Sequence, residues 1–234
     1  MITSAAVFLS GLVFSAWYST PLAPQFVGES VRRVETHEKV VALTYDDGPN
    51  PFGTQAVLDL LARRNVHATF FLVGNRVQQY PELAQKIWQA GHQVGNHSWS
   101  HSLLMFKTYA TVWQEVEKTD LLLRQLGYTD EIYFRSPHGM KFISLPRVLN
   151  TMHKKNILFD VVAWDWRSPG APKIARKVLH EVRPGSIILL HDGVGKQSDT
   201  LKAVDHIITT LKDRGFKFVT VAELLTYEHK TTKA

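Results

Sequence analysis

Two adjacent carboxylates, Asp46 and Asp47, follow the apolar run Val40-Val41-Ala42-Leu43-Thr44-Tyr45 and precede Gly48-Pro49. Such a run is expected to be a buried strand, with the Gly-Pro pair turning the chain at its end. Neighbouring side chains on an extended backbone point to opposite sides, so the two aspartates share one role only if the chain bends there. An isolated Asp-Asp-Gly-Pro is usually a charged turn closing a strand. Here the later apolar runs end in the same manner, on Asn96-His97 with His101, on Arg135, on Asp165 and on His191-Asp192. His97 and His101 stand at i and i+4 in His-Ser-Trp-Ser-His, a spacing that puts both imidazoles on one side of a single helical turn. Two histidines and a carboxylate such as Asp47 make a common divalent-metal set, and three protein ligands leave a position open to water. There is no cysteine, so any metal must use His, Asp or Glu.

The elements that must position these groups alternate along the chain. The expected strands are 40–45, 68–73, 93–95, 132–135, a long apolar run at 157–164, 186–191 and 217–220. The expected helices are 54–64, 81–90, 111–126, 145–155, 172–182, 200–214 and 221–227, with Pro81 in a first turn and Gly91 just past a last one. Seven strand-helix units in strict alternation predict an α/β fold: one parallel sheet closed, or nearly closed, as a (β/α)7 barrel in a single domain. In such barrels the active site forms at the carboxyl ends of the strands, where the titratable residues fall.

The chain has 234 residues and a formal charge of +6 that is spread along it. Its densest basic set, Lys173, Arg176, Lys177 and Arg183, accompanies Ile174, Ala175, Val178, Leu179 and Val182. That is the solvated face of an amphipathic helix, and no nucleic-acid partner is expected from it. A general attraction to an anionic envelope stays open. Residues 5–18 are almost wholly apolar, a length that suits a signal-peptide core or a short membrane anchor. No Lys or Arg precedes this stretch and Phe14-Ser15-Ala16 is a poor cleavage site, so a hydrophobic helix packed on the body is the alternative. The expected organisation is a hydrophobic segment at 1–19, a linker or lead-in at 20–38 containing Pro21, Pro24 and Gly28, a catalytic domain at 39–228 and a polar tail at 229–234. The expected location is extracytoplasmic, secreted or anchored at the cell envelope.

Four motifs occur in order: Thr44-Tyr45-Asp46-Asp47-Gly48-Pro49, His97-Ser98-Trp99-Ser100-His101, Arg135-Ser136-Pro137 and Leu189-Leu190-His191-Asp192. Together they resemble the successive motifs of the polysaccharide deacetylase family, the NodB-homology or carbohydrate esterase family 4 domain, over roughly residues 39–225. The resemblance implies a distorted barrel of the NodB-homology type. It makes Asp46 the general base, and Asp47, His97 and His101 the ligands of one divalent ion whose water is the nucleophile. Arg135 would orient Asp46, His191 would be the general acid, and Leu189 would line the pocket for the acetyl methyl. The implied activity is a hydrolase acting on carbon–nitrogen bonds other than peptide bonds, removing N-acetyl groups from peptidoglycan, chitin-like oligomers or poly-N-acetylglucosamine. The alternatives are an acetyl-ester or other amide hydrolase on the same site, or an inactive carbohydrate-binding module.

Elementary chemistry agrees with these roles. An ionised carboxylate beside an arginine can take a proton from water, and a histidine across the site can supply one to the departing nitrogen. A backbone N–H beside Pro137 could serve the oxyanion. An Asp-His-His set suits zinc and would accept cobalt, nickel or manganese. Two positions depart from the family pattern. His138 stands where the third motif usually has tyrosine, which would alter a sugar contact while leaving a backbone N–H in place. The family's fourth motif, commonly an Asp-Trp pair whose aspartate orients the acid, is blurred in Trp164-Asp165-Trp166-Arg167, where the resemblance would make Asp165 the partner of His191. Trp166 or Trp164 could stack on a sugar ring or pack into the core.

Overall fold

The computed structural model describes residues 27–228; the expected hydrophobic segment at 1–19 and the tail at 229–234 lie outside them. The central strand is β2 (Val40–Asp46), whose seven residues are all buried. It pairs in parallel with β3 (Thr69–Leu72) on one side and β7 (Ile187–His191) on the other. β4 (Gln93–Asn96) adds beyond β3, and β6 (Val161–Val162) beyond β7. The gap between β4 and β5 (Asn156–Ile157) is spanned by Phe134, which bridges Asn96 and Asn156. β1 (Ser30–Val31) runs parallel to β5, and Arg33 then meets Ser186, the residue before β7, in an antiparallel bridge. The circle is therefore closed. β8 (Lys217–Phe218) pairs with the first two residues of β2.

Most helices follow the expected apolar spacing: α1 (Thr54–Arg64), α3 (Pro81–Gln89), α4 (Tyr109–Gln125), α5 (Ser144–Thr151), α6 (Ala171–Glu181), α7 (Gln197–Asp213) and α8 (Val221–Leu225). Each buries one stripe, for example Ile174, Ala175 and Val178 of α6, and the charged residues of that helix stay outside. The short α2 (Gly74–Gln79) was not expected, because Val77 is its one large apolar residue and offers no period.

Three expected elements differ from what forms. The long strand at 157–164 is broken into β5 and β6, because Ile157 and Leu158 turn their carbonyls onto the Arg135 guanidinium at 2.9 and 3.1 Å. The strand at 132–135 shrinks to one bridging residue, Phe134, for the same reason: its neighbour Arg135 is turned into the barrel. Residues 30–34, expected to be lead-in, form part of the barrel wall, with Val34 only 1% exposed and its N–H donating to Gly185 O at 3.0 Å. The strand registers matter most for function: Asp46 lies opposite both Phe71 and His191, in one layer at the carboxyl ends.

Candidate active site and metal centre

Asp46 is the last residue of β2, and Asp47 turns the chain with a left-handed φ of 73°. The turn removes the divergence that an extended backbone would impose. Both carboxylates face His97 Nε2, Asp46 Oδ2 at 3.5 Å and Asp47 Oδ1 at 3.7 Å. Gly48 is needed for close approach: a Cβ there would lie 2.5 Å from Oδ2 of Asp192, which sits under the turn. Asp192 is fully buried, takes the Thr54 hydroxyl on one oxygen, and is pushed up to about 7 by burial.

Arg135 is wholly buried and donates Nη1 to Asp46 Oδ1 and to Thr44 Oγ1, both at 2.7 Å. Its guanidinium lies 4.0 Å over the Phe71 ring. With the two β5–β6 carbonyls, every edge of the fork is engaged, so its position is fixed on several sides. Burial lowers its pKa from the usual value and the Asp46 carboxylate works against this, while arginine's very high starting point keeps it charged. One oxygen of Asp46 is thereby committed, and the other faces the cavity.

The ligand atoms of Asp47, His97 and His101 all lie within 4.8 Å of one another. Asp47 Oδ1 is buried without a hydrogen-bond partner, although His101 Nε2 is 3.1 Å away. His97 Nδ1 is 2.8 Å from Arg135 O; a carbonyl only accepts, so Nδ1 carries the proton and Nε2 keeps its lone pair toward the cavity. Burial depresses His97 to about 3 and also lowers His101, so both rings are neutral donors near neutral pH. An unsatisfied carboxylate oxygen facing two neutral imidazoles fits a divalent cation.

The two histidines do not lie on a helical turn. Ser98 and His101 have φ values of 65° and 56°, and the segment is a loop pinned by side chains. Asn96 Oδ1 accepts from Ser98 N at 2.8 Å, and Ser98 Oγ accepts from His101 N at 3.0 Å. Glu115 of α4 reaches across to accept from Trp99 N at 3.0 Å, Ser100 N at 2.9 Å and Ser100 Oγ at 2.8 Å. Nothing in the local sequence marks Glu115, which sits on a helix face that looks solvated.

His191 faces this group from the end of β7. Asp165 holds it twice, Oδ1 at 2.9 Å from the ring Nδ1 and Oδ2 accepting from the His191 backbone N–H at 2.8 Å. Burial alone would lower the His191 pKa, but the bond to Asp165 and the charges of Asp165, Asp46 and Asp47 outweigh it, and the net shift is upward. Trp166 packs its ring edge-on to His191 at 5.0 Å, whereas Trp164, with φ of 57°, turns outward and is 43% exposed between Arg167 and Lys177. Of the two tryptophans, Trp166 is therefore the one at the cavity.

Asp46, Asp47, His97, His101, Trp166 and His191 all line one cavity of about 610 Å³. Leu189 lines it, joined by Phe159, Val162 and Val194, which no motif singled out. Phe159 lies in the break between β5 and β6, so only the broken strand brings it there. His138 and Gly139 line the mouth, and the His138 ring meets that of His101 at 4.7 Å. Pro137 is buried behind them, opening the short 3-10 turn Pro137–Gly139 that gives His138 its φ of 59°.

The profile described as polysaccharide deacetylase matches residues 33–158. A peptidoglycan-N-acetylglucosamine deacetylase of Bacillus cereus is 36% identical over 207 residues, covering 84% of this chain and 92% of that protein. A crystal structure of a peptidoglycan N-acetylglucosamine deacetylase superposes with a TM-score of 0.80 at 31% identity, covering 86% of this chain and 95% of the other. A family 4 acetyl xylan esterase from Clostridium thermocellum, solved with a cobalt ion, superposes with a TM-score of 0.75 at 37% identity, covering 80% and 93%. With half the chain matched by the profile and nearly the whole barrel by these relatives, the chain belongs to the polysaccharide deacetylase family.

Proposed function

We propose that the protein hydrolyses N-acetyl groups from amino sugars of a polysaccharide or oligosaccharide, releasing acetate and leaving a free amine, with peptidoglycan the favoured polymer. The observation that carries this reading is the meeting of two prepared groups at one cavity: Asp46 with its free oxygen and, on the adjoining strand, His191 held by Asp165. Asp47, His97 and His101 would hold a divalent ion, most suitably zinc, with cobalt, nickel or manganese as substitutes. When bound, that ion supplies Lewis-acid polarisation of the acyl oxygen and lowers the pKa of water.

The chain's own residues do the rest. Asp46, oriented by Arg135, takes a proton from the attacking water through its free oxygen. His191, protonated on the cavity side and held at Nδ1 by Asp165, gives a proton to the leaving nitrogen as the carbon–nitrogen bond breaks. The backbone N–H of His138 is the candidate donor to the oxyanion. Leu189 and Val162 offer an apolar seat for the acetyl methyl, and Trp166 beside His191 offers a face to a sugar ring.

Metal-loaded protein is expected to release acetate from peptidoglycan, and the same assay on chitooligosaccharides and poly-N-acetylglucosamine ranks the polymers. Acetylated xylan tests the ester reading, which the resemblance to an acetyl xylan esterase supports. Glycan binding with no acetate from any of the four would leave a carbohydrate-binding module instead. The proposed setting is the outer side of the cell envelope, on the apolar character of residues 5–18 and the wall-directed activity of the Bacillus relative. No helix among the described residues is long and apolar enough to cross a membrane.

A further inference from the structure

A second groove, of about 700 Å³, lies on the outer wall between α6 and α7. Arg176 and His180 line it from α6, Lys202 and His206 from α7, and Arg214 from just beyond α7. All five are exposed, and no carboxylate lines the groove. The Arg214 guanidinium is fixed across the two helices by donating to Leu179 O at 3.0 Å.

The cations on this wall divide into two kinds. Lys177, Arg64 and Lys196 are matched by Glu181, Asp205 and Asp199, at 2.5, 2.6 and 3.7 Å. Arg176, Lys202 and Arg214 form no ion pair among the described residues. Asp213, beside Arg214 in sequence, is outside the lining. Three positive charges without an ion pair around one concavity make a local excess of positive charge that an anion would relieve.

The shape of the groove narrows the choice of anion. It follows α6, whose eleven residues span about 16 Å. Its upper end, Ala171 and Pro172, lies just past the Asp165–Arg167 turn of the catalytic cavity, and its lower end is Arg214 at the opposite face of the barrel. Charges distributed over that length suit a chain with repeated anionic groups better than a single ion. The floor is Ala175, Leu179 and Ala203, with no aromatic ring on which a nucleobase could stack.

We propose that the α6–α7 groove is an exosite for an anionic glycopolymer, a chain carrying repeated phosphate or carboxylate groups, which holds the enzyme on its matrix while the cavity works. The sugar backbone of the occupant rests on the catalytic reading, but polyanion binding is measured without turnover, so the two readings can fail separately.

The test titrates the full chain with sodium polyphosphate, polygalacturonate and neutral dextran, and with single-stranded DNA as a competitor class. Polyphosphate or polygalacturonate is expected to bind with an affinity that falls steeply as salt rises, and the tighter of the two identifies the anionic group. The Arg176→Gln/Lys202→Gln double variant should lose about tenfold or more, and each single variant about threefold, since each removes one or two of three unmatched cations. Lys86→Gln on α3 should bind as the unaltered chain does. All variants should release acetate from chitooligosaccharides at the parental rate. Unchanged polyanion affinity in the double and single variants, equal binding of dextran, or tighter binding of single-stranded DNA than of either polyanion would each overturn the proposal.

Discussion

Asp46 and Asp47 are neighbours in sequence with different partners, and the partners separate their proposed roles. Asp46 has one oxygen committed to Arg135, and Asp47 has a buried oxygen with no hydrogen bond. Asp46→Asn keeps the shape and the Arg135 contact, so it should retain metal by calorimetric titration while turnover falls about 10²–10⁴-fold. Metal loss from that variant would mean that the two roles are exchanged. His191 must carry its proton to act, so activity should fall as pH rises through its pKa, which Asp165 and the nearby carboxylates hold above the ordinary histidine value. Asp165→Asn removes one negative charge and the bond to Nδ1, which moves that pKa down. The alkaline limb of the pH–rate profile should therefore shift to lower pH, with a lower plateau. An unmoved limb would detach Asp165 from the acid. At this scale much was legible in the sequence, because each chemical group stands where an apolar run stops. The left-handed turn at Asp47 was not, since nothing in Asp-Asp-Gly-Pro says which residue takes the positive φ.

Among the elements, the metal loop is the one with least structure of its own. Its positive-φ residues cost backbone energy, and Glu115 on α4 supplies three hydrogen bonds that hold it. Glu115→Ala should weaken metal affinity about 10–100-fold, as loss of an outer partner of a metal site does, while the circular dichroism of the barrel stays intact. Unchanged affinity would show that the loop holds itself. The helices and the central strands were readable because they are long enough to display a period. Residues 132–135 and 157–164 read as continuous strands in the sequence because an apolar run says nothing about a buried arginine. Arg135 takes two carbonyls that a continuous strand would have spent on its neighbour, and the same break brings Phe159 to the cavity. Glu115 escaped notice because it is remote in sequence from the loop it serves.

For the molecule as a whole, the site links metal binding to stability. A ligand that binds the folded chain alone, at a hundredfold excess over its dissociation constant, adds about 2.7 kcal/mol. For a chain of this size that raises Tm by about 5–10 °C, measurable by scanning calorimetry and reversed by a chelator. His97→Ala, which removes a buried ligand, should abolish the rise; a rise that survived would place the ion elsewhere.

Closure of the barrel was the least legible feature, since a two-residue strand has no period to read. It also sets an order of events in folding. Ser30 and Val31 pair with Asn156 and Ile157, and Arg33 meets Ser186, so the earliest described strand finds its partners only in the second half of the chain. Contacts so distant in sequence carry a large entropic cost of loop closure and form late. While the chain is being made, residues 30–34 wait for partners that are not yet synthesised, and that unpaired edge is where chaperones or proteases would find the immature protein.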